Sequence, residues 1–247
     1  RTVENTIGAQ LRHDAIGTVG LYRTRARQRL STVREDAINQ TSGGLYAQNQ
    51  IQWTSTLRTQ IGLRADLYRF DVNSKQEPLN SGTDVAGLVS PKAGVVVGPF
   101  RGTEFYANAG YGYHSNDARG ATITRDPNSG EPVDRVTPLA RARGAEVGVR
   151  TVAIPHLQST FTLWTLGLDS ELLFVGDAGT TEASRPSRRT GVEWANYYRP
   201  MRWLTFDADL SWSRARFTDD APEGARIPGA VETVASLGVT VEPTHRL

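Results

Sequence analysis

The stretch Leu204-Thr-Phe-Asp-Ala-Asp-Leu-Ser-Trp-Ser213 alternates strictly between apolar and polar residues. Successive side chains of a β-strand point to opposite faces, so this period of two predicts a strand with one apolar and one polar face. The same period recurs over 3–12, 57–68, 103–113, 144–151 and 231–242. Most of these stretches are close to the length of about 9–11 residues that a tilted strand needs to cross a bilayer.

The alternation divides the whole chain into about eleven antiparallel strands. One stretch, 157–174, is apolar at both parities, so its facing stays open; a buried helix is the alternative, which its threonines disfavour. The strands are predicted over 3–12, 16–28, 43–53, 56–71, 88–99, 103–114, 144–153, 157–174, 188–198, 203–217 and 231–242.

The connections between these strands are alternately short and long. Short ones are predicted near His13–Ala15, Trp53–Thr56, Arg101–Gly102, Ile154–His156 and Arg199–Arg202. Long polar ones are predicted at Arg29–Ser42, Val72–Gly87, Ser115–Arg143, Gly176–Ser187 and Thr218–Gly229. This places every short turn at one end of the sheet, as in an all-β, up-and-down transmembrane β-barrel. Aromatic residues near the short turns favour an interfacial girdle over the plugged end of a soluble sandwich: Trp53, Phe100, Tyr198 and Trp203.

Composition excludes several other classes of protein. The 247 residues carry 28 Lys and Arg against 26 Asp and Glu, a net charge of +2, which argues against a nucleic-acid binder. Without cysteine the chain has no disulfide, thiolate metal site or cysteine nucleophile. No apolar run reaches the roughly 18 residues of a membrane-spanning helix. The mean hydropathy of −0.42 still fits a membrane barrel, because lipid-facing and lumen-facing residues alternate.

Several stretches, in order, give the chain a family resemblance. The first two are Ser90-Pro-Lys-Ala-Gly94 and Glu104-Phe-Tyr-Ala-Asn-Ala-Gly-Tyr-Gly-Tyr-His-Ser-Asn-Asp-Ala-Arg-Gly120. They are followed by Gly144–Arg150, Gly191–Trp194, Trp203–Ala208 and Arg226–Ala230. The set resembles the barrel of TonB-dependent outer-membrane receptors over nearly the whole chain.

The resemblance implies a 22-stranded barrel filled by an N-terminal plug, in the outer membrane of a Gram-negative bacterium. It implies energised uptake of a ligand such as a ferric siderophore or cobalamin. The partners would be outer-membrane lipid and lipopolysaccharide, the receptor's own plug and, through it, TonB. We therefore expect 1–247 to be part of a single barrel domain, with the plug and the C-terminal barrel strands absent. The segment Glu242–Leu247 is interpreted as a turn and the start of a further strand.

Two groups of residues are candidates for contact with the ligand or the channel. Charged and polar positions on the polar strand face are predicted to line the lumen: Arg58, Arg64, Asp66, Glu104, Asn108, Glu146, Arg150, Glu193, Asp207 and Asp209. Residues at the outer strand ends and loops are predicted to bind the ligand: His114, Asn116, Asp117, Arg119, Asp169, Glu171, Arg188 and Arg189.

No catalytic residue, metal site or cofactor is predicted, and the protein is not expected to be an enzyme. His114, Ser115 and Asp117 lack the G-x-S-x-G turn of a serine hydrolase. Asp126–Gly130 has the composition of a turn rather than of a calcium loop.

Three alternatives remain open: a passive porin-like channel, an extracellular all-β binding or adhesion module, and a carbohydrate-active enzyme. What covers the apolar face separates the barrel from the adhesion module, because a sandwich covers that face with a second sheet.

Overall fold

In the part of the chain that the structure describes, ten antiparallel strands form one sheet, and each pairs with the next in chain order once a small separate hairpin is set aside. The computed structural model describes residues 1–175, 180–183 and 185–242. The sheet contains β1 (Thr2–Arg25), β2 (Gln28–Thr54), β3 (Leu57–Ser74), β4 (Gly82–Phe100), β5 (Thr103–Ser115), β6 (Leu139–Thr151), β7 (Leu157–Leu168), β10 (Ser187–Met201), β11 (Leu204–Phe217) and β12 (Thr233–Val241). The hairpin pairs β8 (Leu172–Val175) with β9 (Thr180–Ala183). The predicted all-β, up-and-down fold class is confirmed.

The N-terminal hairpin differs from the prediction. β1 runs without interruption through His13–Ala15, so the turn predicted there is wrong; a register shift between Ile16 and Val19 accommodates the irregular sequence instead. The loop predicted over Arg29–Ser42 is also wrong, because β2 spans it. Residues 28–35 pair with β1 alone, since pairing of β2 with β3 begins at Asp36. The tip of this two-stranded ribbon, residues 28–31, is exposed, and the ribbon lacks a continuous apolar face, so its sequence resembles that of a loop.

From β3 onward the predicted alternation of connections is confirmed. Short turns at 55–56, 101–102, 152–156 and 202–203 lie at one end, and longer connections at 75–81, 116–138, 169–186 and 218–232 lie at the other, which is here called the outer end. Several strand boundaries move: the predicted strand 157–174 ends at Leu168, and the loops after β3 and β5 are shorter than predicted because β4 and β6 begin at Gly82 and Leu139. The turn and strand predicted for the last residues fall at 243–247, outside the described residues. No helix in the described residues is long and apolar enough to cross a membrane.

The sheet has one apolar and one polar face. Val147, Leu163, Val192 and Trp212 are successive cross-strand partners, so they form one row on the apolar face. Exposed fractions of 46–52% for Val147, Leu163 and Trp212 show that nothing in the described part of the chain covers this row. The facing of β7 is also resolved: Phe161 and Leu163 lie on the apolar face, and Trp164 and Leu166 on the polar one.

The buried core lies at the outer end, where the loop 116–138 folds onto the polar face. Its short helix α1 (Ala118–Thr122) contributes Ala118, which packs with Ile38, Phe70 and Leu139. Phe70 is fully buried. The longest connection is therefore a packed part of the structure that covers the outer end of β2 and β3.

Candidate functional site

A groove of about 740 Å³ crosses the middle of the polar face. Lys92, Asn108, Glu146, Trp164 and Glu193 line it, and the Asn108 amide donates a 2.8 Å hydrogen bond to the Glu146 carboxylate. The Trp164 indole N–H is buried and has no partner in the described part of the chain. The groove therefore combines carboxylates, an ammonium group and a free donor, which suits a polar ligand or partner.

Glycines hold the floor of the groove open. At Gly110 an added Cβ would lie 3.0 Å from the Lys92 Cβ and 3.2 Å from the Pro91 carbonyl oxygen. A side chain there would require Lys92 and the adjoining β4 backbone to give way by a few tenths of an ångström.

All ten residues predicted to line the lumen lie on this polar face, because the cross-strand register connects their positions. Asn108, Glu146 and Glu193 line the groove. Arg64 pairs with Asp66 at 2.7 Å, and Glu104 pairs with Arg150. The others on this face are Arg58, Asp207 and Asp209. That this face lines a lumen stays a prediction.

Some of the residues predicted to bind the ligand hold the loop 116–138 in place. Asp117 caps α1 by accepting from the Arg119 amide at 2.9 Å, and its carboxylate pairs with the Arg119 guanidinium at 2.5 Å. The Asn116 amide donates to the Thr137 carbonyl at 2.6 Å. The Asn116 Oδ1 and the His114 Nε2 are buried without a partner in the described residues. Among the described residues predicted to bind the ligand, these are the two buried side-chain atoms that lack a hydrogen-bond partner.

The other residues predicted to bind the ligand are divided between the two faces of the sheet. Glu171 is 5% exposed; it accepts from the Ser187 hydroxyl at 2.5 Å and pairs with Arg189 at 2.8 Å. Arg188 pairs in register with Gly167 and Arg216, on the opposite face from Arg189. Asp169 follows the end of β7, is exposed, and makes no ion pair in the described residues. The structure brings together Glu171 and Arg189 but not Asp169 and Arg188.

Two loop carboxylates have lowered pKa values. Burial raises the pKa of Asp117, but the hydrogen bonds and charge of Arg119 outweigh it, so the net pKa is lowered. The pKa of Asp219 is lowered mainly by the hydrogen bond from Arg185, whose guanidinium also stacks 4.3 Å from the Phe217 ring centroid. Both groups are therefore held ionised as structural anchors of the loops.

Sequence reasoning missed three features, two at the outer end and one in the groove. Asn80 is 1% exposed and joins two loops: its amide donates to the Arg125 carbonyl, and its Oδ1 accepts from the Thr124 and Arg125 amides. The Arg34–Asp36 ion pair is buried, and Arg34 also donates to the Arg119 carbonyl. The third feature is the free Trp164 N–H. A recurring Arg-x-Asp spacing could have indicated the ion pair; no sequence signal marks Asn80 or Trp164.

The turn predicted around Asp126 is confirmed. The Asp126 carboxylate accepts from the amides of Asn128 and Ser129, and Gly130 adopts a φ of +74°. The carboxylate is thus used in an Asx turn at the loop tip.

Comparison with known proteins gives a consistent match. The family profile described as TonB dependent receptor-like, beta-barrel, matches residues 2–244. The fold is similar to the copper transporter OprC (TM-score 0.74, 16% identity, 98% of this chain and 38% of that one). It is also similar to the ferric citrate transporter FecA (TM-score 0.69, 15% identity, 98% of this chain and 37% of that one). A third similar structure is the ferric yersiniabactin uptake receptor FyuA of Yersinia pestis (TM-score 0.68, 15% identity, 97% of this chain and 37% of that one). No protein with a curated description matches the chain. The chain spans somewhat over a third of the length of each of these structures.

Proposed function

This chain belongs to the TonB-dependent receptor-like β-barrel family, and from that membership we propose that it forms part of the barrel of an outer-membrane receptor in a Gram-negative bacterium. The receptor takes up a small ligand, such as a ferric siderophore or cobalamin, with energy supplied through TonB. Residues 1–247 belong to one barrel domain, and the plug comes from the rest of the receptor. The protein acts as a transporter and catalyses no chemical reaction.

One observation carries this proposal: a single up-and-down sheet is apolar and exposed on one face and polar on the other, and its long loops fold over the polar face. Lipid is the solvent that suits the apolar face of such a sheet. An adhesion module would need a second sheet there, and in the described residues the remaining strands form only the hairpin β8–β9. The folded loops favour a receptor over a passive porin, because they restrict entry from the outer end.

Uptake by cells tests the proposal. The full-length receptor is expressed in a strain that lacks its own ferric receptors, and cell fractions are examined for a band whose gel migration changes on heating. Uptake of ferric citrate, ferric yersiniabactin, cobalamin and copper is then measured with and without TonB. We expect the heat-modifiable band in the outer membrane and TonB-dependent uptake of one probe. Uptake that persists without TonB would support a passive channel, and recovery as a soluble protein would contradict the proposal.

A matched pair of variants tests the groove. Glu193 lines it, and Asp207 is an exposed carboxylate on the same face outside it. We expect Glu193→Gln to change the concentration of ligand that gives half-maximal uptake at least fivefold, and Asp207→Asn to leave it unchanged. Equal effects would show that the ligand does not use the groove.

A further inference from the structure

The outer half of β4 is paired on one side only. From Lys92 to Val97, β4 pairs with both of its neighbours, β3 and β5. Pairing with β5 ends at Lys92, which lies opposite Gly110, whereas pairing with β3 continues outward to Gly82. Residues 82–91, here called the β4 edge, therefore have no strand partner on the side of β5 in the described part of the chain.

The β4 edge is free because the outer end of β5 folds away from the sheet. Tyr113 has the same parity as Phe105, which is 53% exposed on the apolar face of β5. The Tyr113 ring nevertheless packs edge-on against Tyr68 on the polar face of β3, with 5.9 Å between the ring centroids. It also packs against the buried cluster that contains Phe70. The outer end of β5 has therefore crossed onto the polar face, and no other described strand takes its place beside β4.

Alternate backbone groups of this segment point to the open side. The Val85 amide donates to the Asp84 carboxylate at 2.8 Å, so it points away from β3. Because the direction of the N–H and C=O groups alternates along a strand, the amides of Gly87 and Val89 point the same way. Pro91 continues this set, and proline suits a strand position whose missing N–H would face an edge. The β4 edge therefore offers backbone donors and acceptors to a further strand.

The middle of the β4 edge lacks the features that protect native sheet edges from pairing. Exposed edge strands are usually short, bulged or charged. Residues 85–90 contain no charged side chain, and their pairing with β3 shows no register shift. Val85 and Val89 are 55% and 50% exposed. A long, regular and uncharged edge of this kind is a template for another strand.

The β4 edge also reaches the level of the exposed apolar side chains. Leu11, Gly43, Leu67 and Gly87 are successive cross-strand partners, and Leu11 and Leu67 are 79% and 59% exposed on the apolar face. With lipid against this face, no water reaches the free backbone groups at this level, and open sheet edges do not occur in hydrocarbon. An acyl chain has no hydrogen-bonding groups, so the partner of this edge must be a polypeptide backbone.

We propose that the β4 edge binds an extended peptide segment of a partner protein, which adds to the sheet as a further strand. The proposal rests on the proposed function, because it requires lipid against the apolar face. The backbone of the segment pairs with the free groups of Gly87 and Val89. Its side chains alternate: apolar ones lie beside Val85 and Val89 on the lipid side, and small ones lie beside Ala86 and Leu88 on the polar face.

Binding of a model strand by the full-length receptor in lipid vesicles tests the proposal. The probe is a fluorescent peptide of about seven residues that alternates valine and serine. Its control is the same peptide with methylated backbone nitrogens, which keeps the side chains but cannot donate backbone hydrogen bonds. Val89→Pro removes a donor that faces the edge and leaves the pairing with β3 intact, and Val89→Thr is the matched variant that keeps the donor. Heat-modifiable migration and ligand uptake are measured on the same proteins.

We expect the unmodified receptor and Val89→Thr to bind the unmethylated peptide equally, and Val89→Pro to bind it about fivefold more weakly, the effect of losing one backbone hydrogen bond. The methylated peptide should bind vesicles with and without the receptor to the same extent, which keeps the test decisive if Val89→Pro fails to fold.

Two results, in proteins that migrate as folded barrels and transport ligand, would overturn this proposal alone. If the unmodified receptor bound neither peptide, the receptor itself would close the edge. Equal binding of the two peptides, or equal binding by Val89→Pro and Val89→Thr, would show contact between side chains without strand pairing. A receptor that never reaches the outer membrane would overturn the proposed function as well.

Discussion

Single residues at the outer end show how burial changes the value of one ion pair. Arg34 and Asp36 lie two apart on one strand, with side chains 5% and 0% exposed and a 2.6 Å bond. Arg12 and Asp14 have the same spacing and a 2.7 Å bond but are 69% and 34% exposed. Only the first pair is covered by the loop 116–138, so only there would loss of one partner leave a desolvated charge.

Replacing Arg34 should therefore destabilise the protein far more than replacing Arg12. We expect Arg34→Met to lower the free energy of unfolding by about 3–5 kcal/mol, because it leaves the buried Asp36 carboxylate unpaired. The matched Arg12→Met should cost less than about 1 kcal/mol, as for exposed pairs. Urea unfolding of the receptor in lipid vesicles measures both, and Arg34→Met combined with Asp36→Leu should recover part of the loss. Equal costs for the two single variants would contradict the structural role given to the loop.

At the scale of elements, the N-terminal hairpin shows where sequence patterns fail. The period of two predicted β3, β5, β6, β11 and β12 because each has one apolar face. Residues 28–35 are strand residues without that contrast, and a polar ribbon has the composition of a loop. The turn at Ala26 and Arg27 also lacks the glycine or asparagine that marks a tight hairpin, although both residues have positive φ, +48° and +65°.

In the candidate site, too, the sequence pattern predicted the strand residues but not the contacts made by loop residues. The alternating pattern placed Asn108, Glu146 and Glu193 on the polar face, because a strand's parity determines its facing. It could not show that Asp117 pairs with Arg119 to cap a helix, or that Asn80 joins two loops. Those contacts depend on how loops fold over the sheet, which no local period encodes.

The strain at the hairpin turn leads to the second prediction. Non-glycine residues in the left-handed region cost roughly 1–2 kcal/mol each, and Asn-Gly is the pair most suited to a tight hairpin turn. We expect Ala26→Asn with Arg27→Gly to raise the free energy of unfolding of the hairpin by about 1 kcal/mol. Hydrogen exchange of the β1 and β2 amides near the tip measures this, and Ala37→Asn, inside β2, serves as the control that should not increase protection. Unchanged exchange at the tip would show that the turn stores no such strain.

The whole molecule is organised by the contrast between its two faces. Exposed apolar residues extend across the sheet from Ile7 in β1 to Leu237 in β12. In water this surface would be a large aggregation liability, whereas in a bilayer it is the solvated surface. The soluble-like mean hydropathy of the chain and its membrane-like surface are therefore consistent, because the polar half of each strand balances the apolar half.

The last prediction tests this organisation with one substitution on each face. Leu63, 54% exposed on the apolar face, is the seventh residue of β3, near the middle of the roughly 9–11 residues with which a strand crosses a bilayer. Gln60 lies three residues away on the polar face. We expect Leu63→Arg to destabilise the membrane-inserted receptor by about 2–4 kcal/mol, the cost of an arginine near the bilayer midplane. Gln60→Arg should cost less than about 1 kcal/mol, because its side chain enters a polar groove. Urea unfolding in lipid vesicles and the amount of heat-modifiable receptor in the outer membrane measure both effects. If the two arginines were tolerated equally, the apolar face would not be the lipid-facing one.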